Sequence, residues 1–154
     1  MKKLWFILPL VLLPFLVGLL MDRLVTAGYQ LLKWYLPIAI LFLIFWVWVG
    51  SLFARLKMKK IYSFLLGNSL SITVCILYVW FFHWLEPAAR LSGGWVRCLG
   101  SFVQVYVLPV INLGARICGV FTNRLDSDAV LLFTNFLLIA AFSVGYICRL
   151  RRSS

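Results

Sequence analysis

The sequence predicts an all-α integral membrane protein: a four-helix transmembrane bundle with an amphipathic interfacial or re-entrant helical segment on the outer face. Composition, the lengths of the apolar runs and the placement of charge all lead there. Hydrophobic residues make up 64% of the chain, far above the roughly 45–50% of soluble globular domains, and the mean hydropathy is +1.04. The apolar residues gather into runs close to the roughly 20 that a helix needs to cross the hydrocarbon core. The basic residues stand beside those runs rather than within them, as topology-setting charges do.

A single membrane domain over residues 1–154 is expected, because the longest stretch between clear spans, 87–128, is too short to build a soluble core of its own. The first span is read at 4–21, after Lys2 and Lys3, and contains Pro9, Pro14 and Gly18. A signal peptide competes with it, since Val25-Thr26-Ala27 loosely resembles a cleavage site. A retained anchor is preferred: the run exceeds a typical h-region, and Asp22 and Arg23 intervene before the small residues. The second span, 34–53, carries no charge and ends in a basic turn holding Arg55, Lys57, Lys59 and Lys60. The third, 61–84, is stopped by Glu86-Pro87, because the residue before a proline disfavours helix. The last, 129–148, has cap candidates in Asp126, Ser127 and Asp128 and closes on Arg149, Arg151 and Arg152.

The net charge of +11 sets fifteen Lys and Arg against four acids. In a soluble chain this balance would suggest nucleic acid; beside apolar runs it implies a bilayer with anionic headgroups instead, with Arg55, Lys57, Lys59 and Lys60 as headgroup contacts. A cytoplasmic N-terminus puts Lys2, Lys3, that basic turn and Arg149, Arg151 and Arg152 inside, with no acid among them. The outer segments then hold Arg23, Lys33, Arg90, Arg97, Arg116 and Arg124 together with Asp22, Glu86, Asp126 and Asp128. Positive-inside bias therefore predicts both termini in the cytoplasm. Trp5, Trp34, Tyr35, Tyr62, Trp80, Trp84 and Tyr146 flank the spans as interfacial anchors.

The stretch 95–121 is apolar enough for a fifth span, yet Arg97, Ser101, Gln104, Asn112 and Arg116 fall near one helical face, as in a helix lying along the interface. Pro109 is expected to break or kink it, giving two short outer helices or a re-entrant hairpin. A hairpin folded there would bring Cys98 and Cys118 within reach of a disulfide.

No sequence motif carries a specific chemistry. Ser63, Gly67, Ser71 and Cys75 recur every fourth residue, a small-residue face that lets another helix approach closely, with Ala141 and Gly145 as the complementary pair. Asn68, Thr73 and Asn135 are polar groups within the spans, either interhelical glue or the lining of a path. His83 and Glu86 share a helical face at the outer end of the third span, and with Asp126, Asp128, Cys98 and Cys118 could form an outer acid–base or metal site. Boundary and cap roles account for them more simply, and neither metal nor cofactor is expected. The leading expectation is a non-enzymatic accessory, assembly or regulatory subunit, with another membrane protein or a second copy of itself as partner and no nucleic acid. A small homo-oligomeric channel or transporter lined by Asn68, Ser71, Thr73 or Asn135 comes second. An outer-interface enzyme acting on lipid through His83 and Glu86 comes third.

Overall fold

The computed structural model describes residues 8–29, 33–86, 94–121 and 126–152, and these are helical with no strand. Lys2, Lys3, Trp5, Arg90 and Arg124 lie outside the described residues. A 3-10 turn, Leu8–Leu12, leads into α1 (Leu13–Thr26); α2 is Tyr35–Phe53; α3 is Lys60–Val79, continued by a π turn, Trp80–Trp84; α4 is Trp95–Phe121 and α5 is Ser127–Arg151. Among the described residues, five stretches are long and apolar enough to cross a membrane: Pro9–Thr26, Tyr35–Phe53, Lys60–Trp84, Trp95–Phe121 and Ser127–Arg151. The chain is thus an all-helical, multi-pass membrane protein. Its outward faces agree: Leu16, Leu20, Leu41, Ile44, Ile61, Ile76 and Phe136 are exposed, a surface suited to acyl chains rather than water.

Local chemistry sets the ends. Pro14 sits in the first turn of α1, where its missing N–H has no intrahelical partner to lose. The helix passes Asp22 and Arg23, where hydropathy ends the predicted span, because charges at a bilayer surface stay solvated and do not break a helix. It stops instead at Gly28, whose φ of +87° only glycine adopts readily. There Gly28 N–H donates to the Val25 carbonyl (3.0 Å) and Tyr29 N–H to the Leu24 carbonyl (3.1 Å), closing a Schellman motif. The π turn closes through Leu85 N–H to the Trp80 carbonyl at 3.0 Å. Asp126 caps α5, its carboxylate accepting from Asp128 N–H at 3.2 Å.

Two glycines decide how the helices cross. At Gly50 of α2 a Cβ would overlap the Phe142 carbonyl of α5, and at Gly145 of α5 a Cβ would overlap the Val47 carbonyl of α2. Each glycine thus faces the carbonyl three residues before the other, the reciprocal arrangement of two parallel helices meeting through Cα–H···O contacts. Gly145, read from the sequence as complementary to the small face of α3, lies instead against α2, where the absence of a side chain lets the two backbones meet.

The third helix runs antiparallel to α5. Tyr146 Oη donates to the Lys60 carbonyl at 2.6 Å near one end, Asn135 Nδ2 to the Ser71 carbonyl at 2.8 Å in the middle, and Tyr78 Oη to the Asp128 carboxylate near the other. At that same end Gly100 of α4 packs on the Phe81 ring, and Cys118 of α4 lies 3.9 Å from the Ala129 carbonyl. Both ends of α4 therefore meet the same end of the α3–α5 pair, while its middle reaches inward to Ser71 through Tyr106.

Neither two short helices nor a hairpin forms in this segment: α4 is continuous through Pro109. The proline removes one N–H, the partner of the Val105 carbonyl four residues earlier. Gly18 of α1 packs so closely on that carbonyl that a Cβ would overlap it, which supplies a weak Cα–H donor to the acceptor the proline leaves over. Along a continuous helix Cys98 and Cys118 are separated by roughly 30 Å at ~1.5 Å per residue, so the disulfide expected of a hairpin is excluded. The expected polar edge is present. Arg97, Ser101, Gln104 and Arg116 are exposed and Asn112 half-buried, opposite buried Val103, Tyr106, Val107 and Val110.

Gly145→Leu should destabilise the detergent-solubilised protein by about 1–3 kcal/mol through forced overpacking. Val144→Leu, on the exposed side of the same turn, should stay within about 0.5 kcal/mol. Thermal unfolding followed by tryptophan fluorescence compares the two.

Candidate functional site

The small face of α3 is occupied from within the chain. Ser63 and Ser71 are buried, Cys75 is half-buried, and Gly67 lies against the Phe142 ring. Ser63 Oγ donates to the Phe53 carbonyl at 2.5 Å, tying the end of α2 to the start of α3. Ser71 Oγ and Tyr106 Oη are 2.7 Å apart, and Asn135 Nδ2 reaches both the Ser71 carbonyl (2.8 Å) and Cys75 Sγ (2.7 Å). One serine thus joins α3, α4 and α5. Ala141 is half-buried against the core. Two aromatic residues that the sequence does not single out organise this region. Phe142 contacts the rings of Trp46, Phe53, Phe64 and Tyr146, and Tyr106 carries the hydroxyl that meets Ser71. Their signal in the sequence is slight, because an aromatic residue in an apolar run looks the same whether it faces lipid or a neighbouring helix.

The three residues read as a polar path separate. Asn68 and Asn135 are buried, whereas Thr73 faces outward. Asn68 Nδ2 donates to the Phe64 carbonyl of its own helix at 3.2 Å. The Oδ1 atoms of both asparagines and Nε1 of Trp46 are buried without a partner among the described residues.

At the C-terminal end of α3 the Asp128 carboxylate joins two helices. It accepts from Tyr78 Oη and lies 3.6 Å from His83 Nε2 on the π turn. Glu86 is exposed and stands outside this contact. The phenol, carboxylate and imidazole fix the π turn to the start of α5. Among the described residues no group of three His, Cys, Asp or Glu could hold a metal ion. Arg55, Lys57, Lys59 and Lys60 are exposed at the opposite end.

A concavity lies where α4 meets the C-terminal end of α1 and the N-terminal ends of α2 and α5. It is a cleft of about 700 Å³, edged by Asp22, Tyr35, Gln104 and Asn112 over a floor that includes Leu108 and Val130. Amides, a phenol and a carboxylate above apolar side chains can hold an amphipathic segment, orienting it by hydrogen bonds while the floor removes apolar area from solvent. Comparison with known protein families, with curated proteins and with solved structures finds no match to this chain.

A double-mutant cycle on Ser71→Ala and Tyr106→Phe should give a coupling of roughly 0.6 kcal/mol and no more than about 1.7, the range of interhelical hydrogen bonds in membranes. Reversible unfolding in mixed micelles measures it.

Proposed function

We propose that this chain is a four-span membrane protein with both termini on the cytoplasmic side, which works by association as a non-enzymatic subunit of a membrane complex. The observation that carries the association reading is the cleft along α4. The small residues of α3 and α5 are engaged within the chain itself, and the cleft offers a partner an open surface at the outer end. Its edge consists of groups that bind and orient rather than react, and its apolar floor suits a segment of a second membrane protein. Asp22 and Gln104 would give such a segment its register.

The four-span reading is supported by parity. A helix that crosses between α3 and α5 would leave those two parallel, but they run antiparallel, and both ends of α4 contact the same end of the pair. On this reading α4 dips into the outer leaflet and returns. The basic residues of the α2–α3 turn and of the α5 end then share one side, as the positive-inside rule requires.

Two experiments test these readings. In variants retaining one thiol each, an impermeant maleimide should modify Cys98 in intact cells, but should modify Arg152→Cys only after permeabilisation. Modification of both in intact cells would make α4 a fifth crossing. Gentle extraction of the tagged protein from its host should yield a stoichiometric second membrane protein. Gln104→Trp, which fills the cleft, should weaken that association about tenfold, equivalent to ~1.4 kcal/mol, without lowering the thermal midpoint. A chain recovered alone or only with copies of itself would overturn the association reading.

A further inference from the structure

A second groove, of about 480 Å³, lies between α1 and the start of α4, and Arg23 and Arg97 both line it. We propose that it holds one phospholipid, with the phosphodiester between these two guanidinium groups and an acyl chain along Phe15, Leu19 and Phe102. The assignment goes beyond the association reading and does not depend on how many times the chain crosses the membrane.

The groove has the polarity profile of a lipid. Leu19 and Phe15 lie roughly 6 and 12 Å along α1 from Arg23, at ~1.5 Å per residue, so the charged rim passes into an apolar wall over about the depth of one leaflet's upper half. That wall is preformed: the Phe15 and Phe102 rings pack at 4.9 Å between centroids, and the α1 and α4 backbones touch at Gly18 and Val105. Leu19 remains 40% exposed and available to a chain.

Charge also matches. Two guanidinium groups and Asp22 line the groove, a net of one positive charge, which one phosphodiester balances. Neither arginine is ion-paired with a carboxylate among the described residues, so each fork remains available for the bidentate contacts that guanidinium makes with phosphate. Arg55, Lys57, Lys59 and Lys60 are more numerous, but they stand exposed at the other end of the bundle. There the attraction to headgroups is diffuse and salt-screened.

Native mass spectrometry of the full chain in detergent, titrated with phosphatidylglycerol, tests the site. One lipid per chain should be retained. Arg23→Gln combined with Arg97→Gln should weaken retention at least about tenfold, as should Leu19→Trp, which fills the apolar wall. Lys57→Gln combined with Lys59→Gln should leave it unchanged, and all variants should keep the parental thermal midpoint. Glycerol phosphate at the lipid's concentration should not displace it. Retention that survives the arginine pair, or falls equally with the lysine pair, would overturn the proposal; displacement by glycerol phosphate would reassign the groove to a soluble phosphate.

Discussion

The packing depends first on the contact between Gly50 and Gly145. In lipid the hydrophobic effect gives no preference for one helix against another, because acyl chains are as apolar as leucine, so association must come from close fit and polar contact. A glycine opposite a glycine, each against the other strand of carbonyls, provides both: the backbones approach without side chains between them, and Cα–H groups meet carbonyl oxygens in both directions. At this contact α2 and α5 run parallel, so that Tyr35 and Ser127, near their N-termini, line one cleft. Since α2 and α3 are joined by a short turn and run oppositely, α5 is then antiparallel to α3, and the chain between them must return to the end where it started. The unusual placement of α4 follows from that constraint.

Around this crossing the interior is organised by Phe142 and Ser71. Phe142 fills the space that Gly67 leaves open and meets aromatic rings from α2, α3 and α5 in edge, tilted and stacked geometries. Ser71 links three helices, through its hydroxyl to Tyr106 and its carbonyl to Asn135. The asparagines keep an unpartnered oxygen each, a cost that an apolar replacement would avoid. Buried polar groups of this kind specify which helix meets which, because a slipped register would leave more of them unpaired.

The end of the bundle that holds the π turn has a different character. There α4 lies over the ends of α1, α2 and α5 and opens two concavities, while the π turn and Asp128 fasten α3 to α5 on the other flank. Pro109 has a specific part in this: by freeing the Val105 carbonyl it creates an acceptor that Gly18 covers, and the resulting contact holds α1 beneath the two grooves. The proposed lipid and the proposed partner would occupy adjacent spaces that share Asp22, Ser101 and Val105.

The sequence by itself determined the membrane class, four of the five long helices, the Asp126 cap and the polar edge of α4, because these depend on local hydropathy, period and capping chemistry. Helix ends were less legible: charge appears to hydropathy as a stop, whereas α1 continues past Asp22 and Arg23 to the positive-φ Gly28. Pro109 pointed to a break because its lost N–H was visible and the compensating Gly18 was not. Tertiary structure alone decided that Gly145 meets Gly50, that Thr73 turns away from Asn68 and Asn135, that Asp128 rather than Glu86 joins His83, and that Arg23 and Arg97 share a groove. The glycine, carboxylate and arginine partners lie far along the chain, and nothing in the local sequence says which of several distant neighbours a side chain will meet.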